Sequence, residues 1–196
     1  MYATNPTRRT VMWRSRDVDN DVSLAHAAAI GDRAAFEDIV RRHGPAMFRY
    51  ARNMLRDDGI AEEVVQDAFV AAWKSLQDFR SDSALRTWLF GITAHKAIDA
   101  TRRRVPRPAE EWLFDSAVSD AADDPEVRAS ETDFLAELRV ALAGLPELQR
   151  SCWLLREVEG MSHVEIGKIL SLSPSAIRGQ VTRARRTLSE RMAAWR

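Results

Sequence analysis

Residues 162–188 read SHVEIGKILSLSPSAIRGQVTRARRTL. Ser162 and Glu165 stand at the spacing of a capping box, in which a hydroxyl and a carboxylate each take an amide hydrogen left without a partner at a helix start. The helix opening there extends through Leu170. Ser171-Leu172-Ser173 has room only for a tight turn. Ser173 followed by Pro174 then starts a second helix, because serine caps well and proline at the first helical position gives up an amide hydrogen that has no partner there. Ile177, Val181, Ala184 and Leu188 form an inward stripe at helical spacing, which leaves Ser175, Arg178, Gly179, Thr182, Arg183 and Arg186 facing outward. A short capped helix, a tight turn and a longer basic helix make a helix-turn-helix. Its second helix fits the DNA major groove, where outward residues near the N-terminus reach base edges and later arginines meet phosphates. The competing reading is the solvated basic face of an ordinary helical hairpin. A basic helix alone would not separate the two; the ordered combination favours DNA.

Upstream, Leu148 to Leu155 is an apolar helical stretch holding Cys152, the one cysteine in the chain. A single cysteine excludes an intrachain disulfide and a cysteine-rich zinc site, and it reads here as a small buried side chain. Residues 107–133 carry Glu110, Glu111, Asp115, Asp120, Asp123, Asp124, Glu126, Glu131 and Asp133, and after Arg107 at the start only Arg128 stands against them. This stretch is alanine-rich and weakly periodic, and it reads as a flexible acidic linker with Trp112, Leu113 and Phe114 as an anchoring patch. The block from 134 to 196 is then about 60 residues, a size only marginally stable alone, so its helices need good packing or a partner.

The N-terminal part divides at a basic tail, residues 1–20, with Arg8, Arg9, Arg14 and Arg16. A helical block follows over 21–106. Breaks are expected at Gly31-Asp32, at Gly44-Pro45 and at Asp57-Asp58-Gly59, with Asp58 capping the next helix. That helix has the widest apolar face in the chain: Ile60, Val64, Ala68, Ala72 and Leu76, flanked by Val65, Phe69 and Trp73. Glu62, Glu63, Gln66, Asp67 and Lys74 lie opposite. After a polar break at Arg80-Ser81-Asp82-Ser83, Leu85, Trp88, Leu89, Ile92 and Ile98 set the core spacing of another helix, which ends in Arg102, Arg103 and Arg104 before Pro106 and Pro108. Phe79, Trp88, Phe90 and His95 are interleaved with Arg80, Arg86, Lys96, Arg102 and Arg103. Aromatics among cations suit single strands, whose bases stack on rings while phosphates meet charge. The plainer reading makes Phe79 and Trp88 core.

The whole chain has 196 residues, 45% of them hydrophobic, with 29 basic and 29 acidic side chains for a formal net charge of zero. A packed core is within reach and wholesale disorder is excluded. The zero hides segregation: basic tail, basic helix end, acidic linker, basic last helix. No apolar run reaches the length of a signal peptide or membrane span, so the expectation is a soluble, cytoplasmic, all-α protein of two small helical domains with no direct membrane insertion.

The motifs resemble those of one family. Ala61 to Trp73, then Phe79-Arg80, Arg86-Thr87-Trp88-Leu89-Phe90 and Ala97-Ile98-Asp99, look like the first domain of extracytoplasmic-function sigma factors, a sigma region 2-like bundle. Leu145-Pro146, Val158 to Ser162, Glu165-Ile166 and Thr182 to Leu188 look like the second, a sigma region 4-like helix-turn-helix. The resemblance implies that Glu63, Gln66, Asp67 and Trp73 bind the beta-prime clamp of RNA polymerase core. Phe79, Arg80, Ser81, Asp82 and Ser83 would belong to the loop that captures a flipped base of the minus-ten element. Arg86, Trp88, His95, Lys96, Asp99, Arg102 and Arg103 would melt and grip that element. Ser175, Ala176, Arg178, Gly179, Thr182, Arg183 and Arg186 would read the minus-thirty-five element. The implied partners are the beta and beta-prime subunits of core polymerase, promoter DNA and an anti-sigma factor; no cofactor or metal is implied. The chain departs from the family at Ala94-His95, where Arg-Asn is common, at Leu85, where phenylalanine is common, and at Gly91, where arginine is common.

Two other classes compete. An autonomous helix-turn-helix regulator would explain residues 134–196 but not Glu62 to Trp73. An enzyme would need chemistry that the sequence does not offer: His26, His43, His95 and His163 are scattered, no metal-ligand spacing occurs, and no glycine loop cradles phosphate.

Overall fold

A computed structural model describes residues 15–79, 84–103 and 125–193. It comprises helices α1 (Ser15–Ala29), α2 (Arg33–Leu55), α3 (Asp58–Ser75), α4 (Leu85–Arg103), α5 (Pro125–Ala143), α6 (Glu147–Trp153), α7 (His163–Leu170) and α8 (Pro174–Arg191). A 3-10 turn, Leu76–Asp78, follows α3, and α6 runs on into a π-helical segment, Leu154–Val158. The described residues contain no strand, as the all-α expectation requires.

The first four helices form a bundle around α2, which packs on α1, α3 and α4. Asp32 caps α2, its carboxylate accepting from the Ala35 amide at 3.1 Å. On α3 the stripe read from the sequence is inside: Val64, Val65, Ala68, Phe69 and Ala72 are buried. Each fully buried large aliphatic or aromatic side chain contributes about 1.5–3 kcal/mol. Helix α1 is tied on by charge. Arg42 donates to Asp21 at 2.7 Å, and His43 Nε2 lies 3.2 Å from the other Asp21 oxygen. Burial alone would raise the Asp21 carboxyl, but His43 and Arg42 together hold it below its ordinary value.

Several boundaries differ from the sequence expectation. Gly44-Pro45 does not break the helix; α2 runs through it, with Pro45 inside. A proline there removes one backbone hydrogen bond and costs about 3 kcal/mol. The burial of Ile39, Met47, Tyr50 and Met54 on the same helix outweighs that. The cap of α3 is Asp57, not Asp58: Asp57 is extended and accepts from the Ile60 amide at 3.0 Å, while Asp58 is already helical and takes Arg52 at 2.9 Å. Helix α1 begins inside the stretch read as tail, and α5 begins at Pro125, inside the stretch read as linker. Residues Trp112 to Phe114, Pro106 and Pro108 lie outside the described residues.

The two blocks are packed together. One cluster of buried side chains runs from Ala25 through Ala97 and on through Cys152, Leu155, Ile166 and Val181. Helix α4 lies against α7, and α2 touches α6. Tyr50 and Ser151 share a buried hydroxyl–hydroxyl hydrogen bond of 2.7 Å, and burial pushes the Tyr50 phenol above its usual range despite that bond. Arg150, 8% exposed, donates to the carbonyls of Leu142 (2.9 Å), Ala143 (2.6 Å) and Leu145 (3.1 Å), and across to Met54 at the end of α2 (2.8 Å). The first block is the packing partner that so short a second block needs.

Those four carbonyls lose the guanidinium in an Arg150→Met variant, which should lower unfolding free energy by on the order of 3 kcal/mol. Denaturant unfolding followed by circular dichroism measures it. A loss below about 1 kcal/mol, the worth of an ordinary hydrogen bond, would show that the guanidinium is not what holds this corner.

Candidate nucleic-acid interface

The helix-turn-helix forms as its residues dictate. The Glu165 amide donates to Ser162 Oγ at 3.2 Å and the Ser162 amide donates to Glu165 Oε2 at 2.7 Å, the reciprocal capping box. Ser171 ends α7 in the left-handed conformation, φ 55°. The turn then folds down on Gly167 so closely that a Cβ there would lie 2.6 Å from the Leu172 carbonyl oxygen. Ser173 Oγ accepts from the Ala176 amide at 3.2 Å and starts α8 with Pro174 behind it. Ile177, Val181, Ala184 and Leu188 are buried, as their spacing predicts.

The opposite face of α8 is open. Ser175, Arg178, Thr182, Arg183 and Arg186 are exposed, with Ala176 and Gly179 half-buried between them. Thr182 turns its hydroxyl back to the Arg178 carbonyl at 2.9 Å, and Arg186 lies 3.3 Å from Glu190 in a fully solvated pair. Such a pair is worth little and can yield to phosphate. The field reaches beyond α8. The His163 imidazole is held below its ordinary pKa by partial burial and then by Arg156, Arg178 and Arg185. Arg156 is not singled out by the sequence, whereas Arg185 belongs to the basic last helix read there. Arg156 sits on the π-helical segment, and the folding of that segment beside α8 adds it to the basic surface, where Arg185 of α8 pairs with Glu157 at 2.5 Å.

A second face lies on α3. Glu62, Glu63, Gln66 and Asp67 are exposed in a row, Asp67 with Lys96 at 3.4 Å. Val70, which sequence reasoning passed over, is 52% exposed beside them, and Trp73 is 37% exposed. Trp73 is backed by Phe36, ring centroids 4.9 Å apart at 68°, and Phe36 by Phe69 at 6.2 Å. An apolar centre with an acidic rim is the anatomy of a protein-docking patch rather than of a DNA contact.

The third face is on α4. Phe79 and Trp88 meet with centroids 5.3 Å apart, both partly exposed, so they are neither wholly core nor a free stacking platform. His95, Asp99, Arg102 and Arg103 are exposed along the helix, and Arg102 reaches Glu147 at 3.3 Å. Arg80, Ser81, Asp82 and Ser83 lie outside the described residues. Arg86 is not presented to solvent: its side chain is 12% exposed, lies over the Phe90 ring at 5.0 Å, and donates to Glu159 Oε2 at 2.8 Å and to the Glu159 carbonyl at 2.9 Å. Burial lowers its pKa, with Glu159 acting against that. Cys152, fully enclosed, has its thiol pushed up to about 12 by burial, which leaves it inert as a nucleophile. Among the described residues no His, Cys, Asp or Glu group is gathered for a metal, and no helix is long and apolar enough to cross a membrane.

Comparison with known proteins gives these surfaces a setting. Residues 39–106 match the family described as Sigma-70 region 2, and residues 135–188 match Sigma-70, region 4. The RNA polymerase sigma factor NccH of Alcaligenes xylosoxydans xylosoxydans is 36% identical over 179 residues, covering 88% of this chain and 95% of that protein. CnrH of Cupriavidus metallidurans is 35% identical over 181 residues, covering 87% of this chain and 93% of that one. The ECF RNA polymerase sigma factor SigM of Mycobacterium tuberculosis is 28% identical, covering 91% and 88%. Among solved structures, CnrH in complex with the cytosolic domain of CnrY superposes with a TM-score of 0.69 at 34% identity, over 90% of this chain and 99% of that one.

The exposed acids of α3 should be replaceable without loss of fold. Glu63→Lys combined with Asp67→Lys is expected to shift unfolding free energy by no more than about 0.5 kcal/mol per site, the usual range for surface changes. Thermal melting monitored by circular dichroism checks this, and a collapse of helicity would place these carboxylates in the architecture.

Proposed function

The chain belongs to the sigma-70 family of RNA polymerase sigma factors, in its small extracytoplasmic-function group, and on that premise we propose how its surfaces divide the work. It binds RNA polymerase core and directs promoter-specific transcription initiation; it is not an enzyme, and the chemistry of RNA synthesis is the polymerase's. The supporting observation is that both sigma-70 regions are matched in order in one chain.

In this reading α3 docks on core polymerase. Glu63, Gln66 and Asp67 form the polar rim, and Val70 and Trp73 the apolar centre that loses water on contact. Phe79, Arg80 to Ser83, Trp88, His95, Asp99, Arg102 and Arg103, with Arg86 and Lys96, serve the minus-ten element. Unstacked bases find rings there, and the separated strand finds cations. Helix α8 reads the minus-thirty-five element, Arg178 near its start at base edges and Arg183 and Arg186 along the backbone. Residues 21–106 and 134–196 are the two working domains, with 107–133 between them. The factor works in the cytoplasm, where polymerase and promoter meet. An anti-sigma partner is part of the proposal, since the relative CnrH was solved holding the cytosolic domain of CnrY.

Run-off transcription with purified core polymerase over a promoter panel tests the whole reading; absence of any promoter-specific transcript at saturating factor would refute it. The Glu63→Lys, Asp67→Lys variant should lose co-elution with core on gel filtration, and wild-type association would remove α3 from the interface. On α8, Arg178→Ala should cost about 1–3 kcal/mol on the cognate minus-thirty-five sequence and little on sites altered at the contacted base. Arg183→Ala should weaken all sites alike and reduce the salt slope by roughly one phosphate contact. Equal loss on every sequence for Arg178→Ala would make it a positioning residue.

A further inference from the structure

Glu159 is the least expected residue at the junction of the two blocks. It ends the π-helical segment after α6, just before Gly160 at φ 69°, and its side chain is 1% exposed. Arg49 of α2 grips its carboxylate with Nε at 3.1 Å and Nη2 at 2.9 and 3.1 Å. Arg86 of α4 closes on it from the other side at 2.8 Å, and also takes the backbone carbonyl of the same residue. One carboxylate from the second block therefore gathers two arginines from two helices of the first.

The contact is costly to form and easily upset. Buried carboxylates and guanidiniums lose hydration, and the arrangement holds only because each charge faces its opposite. Removing the acid leaves two guanidiniums pointing at one another. Beside the buried side chains that the two blocks share, the junction has further polar ties: Tyr50 with Ser151, Arg150 with the Met54 carbonyl, and the solvated pair Arg102 with Glu147. Arg86 and Arg102 belong to the helix assigned above to the minus-ten element, so the same cations that would meet DNA phosphate are held here by acids of the second block.

We infer that Glu159 is an internal latch: it clasps Arg49 and Arg86 to hold α4 against the second block, and promoter DNA gains Arg86 only when that clasp opens. The inference rests on the minus-ten role given to α4. DNA phosphate is the competing partner, because it offers Arg86 an anionic oxygen of the kind Glu159 Oε2 supplies, with room for a second, parallel hydrogen bond. Closed and promoter-bound forms exclude one another through that one guanidinium, and a ligand that binds only the open form draws the equilibrium toward it.

The test uses the full-length chain as wild type, Glu159→Gln and Arg49→Gln. Small-angle X-ray scattering of each free protein should show a larger radius of gyration for both variants, with helicity by circular dichroism unchanged. The double variant should open little further than Glu159→Gln alone, because with the acid gone Arg49 has no clasp left to lose. In run-off transcription with core polymerase at limiting factor, both variants should give several-fold more transcript than wild type, converging with it at saturation. Should Glu159→Gln lose helicity, Arg49→Gln decides alone, since it removes one of the two arginines of the clasp without leaving the buried acid unpaired. Folded variants as compact as wild type, or open variants with an unchanged requirement for factor, overturn the latch. Failure of wild type itself to initiate at any promoter refutes the sigma reading instead, and the scattering comparison still reports on the clasp.

Discussion

A guanidinium cut off from water must find its hydrogen bonds in protein, and Arg150 finds them at helix ends from both halves of the chain. The last carbonyls of any helix lack intrahelical donors. At the end of α5 those of Leu142 and Ala143 are met by Arg150, which also takes Leu145 in the following turn and Met54 near the end of α2. Arg191 of α8 adds a donor to Ala141 at 3.2 Å. The corner between α5 and α6 is thus closed by side chains as well as by its own backbone, in which the Leu145 amide donates to the Leu142 carbonyl at 3.1 Å. The placement of α8, and so of its basic face, follows from that corner.

The same economy of charge explains how a chain of zero net charge can work on DNA. Acids and bases are matched in number but not in place. On α8 the outward arginines are exposed or held in weak surface pairs, whereas on α4 Arg86 is committed to a buried carboxylate. A surface pair surrenders readily to phosphate because water already shares its charge. A buried pair surrenders only if its whole surroundings move. The arginines therefore differ in readiness: those of α8 are open to solvent as they stand, while Arg86 of α4 is held at the junction.

The acidic row on α3 is separate from both. Its apolar centre, Val70 and Trp73, is supported from behind by Phe36 and Phe69, so the patch can lose water on docking without rearranging the bundle. Rigid aromatic support of an exposed ring lowers the entropy cost of binding, which is consistent with the docking role proposed for α3.

Local rules were enough for much of this molecule. The capping box at Ser162, the Ser173-Pro174 start, the inward stripe of α8 and the buried face of α3 depend on neighbours within a turn or two, and each is where its spacing puts it. The family resemblance was also legible, because its motifs are runs of adjacent residues. Where local rules failed, distant packing had overruled them: α2 passes through Pro45 because its buried residues outweigh one lost hydrogen bond. The cap at Asp57 was misplaced by one residue, since two adjacent aspartates are equally good acceptors and only the backbone angle chooses between them. The partners of Arg49, Arg86 and Arg150 lie 110, 73 and 96 residues away, and no local pattern records such distances. Sequence alone determined the helix-turn-helix, the buried faces of α3 and α8 and the family to which they belong. Tertiary structure alone decided that the two blocks close on each other, because a buried charge selects its partner by position in space and not by position in the chain.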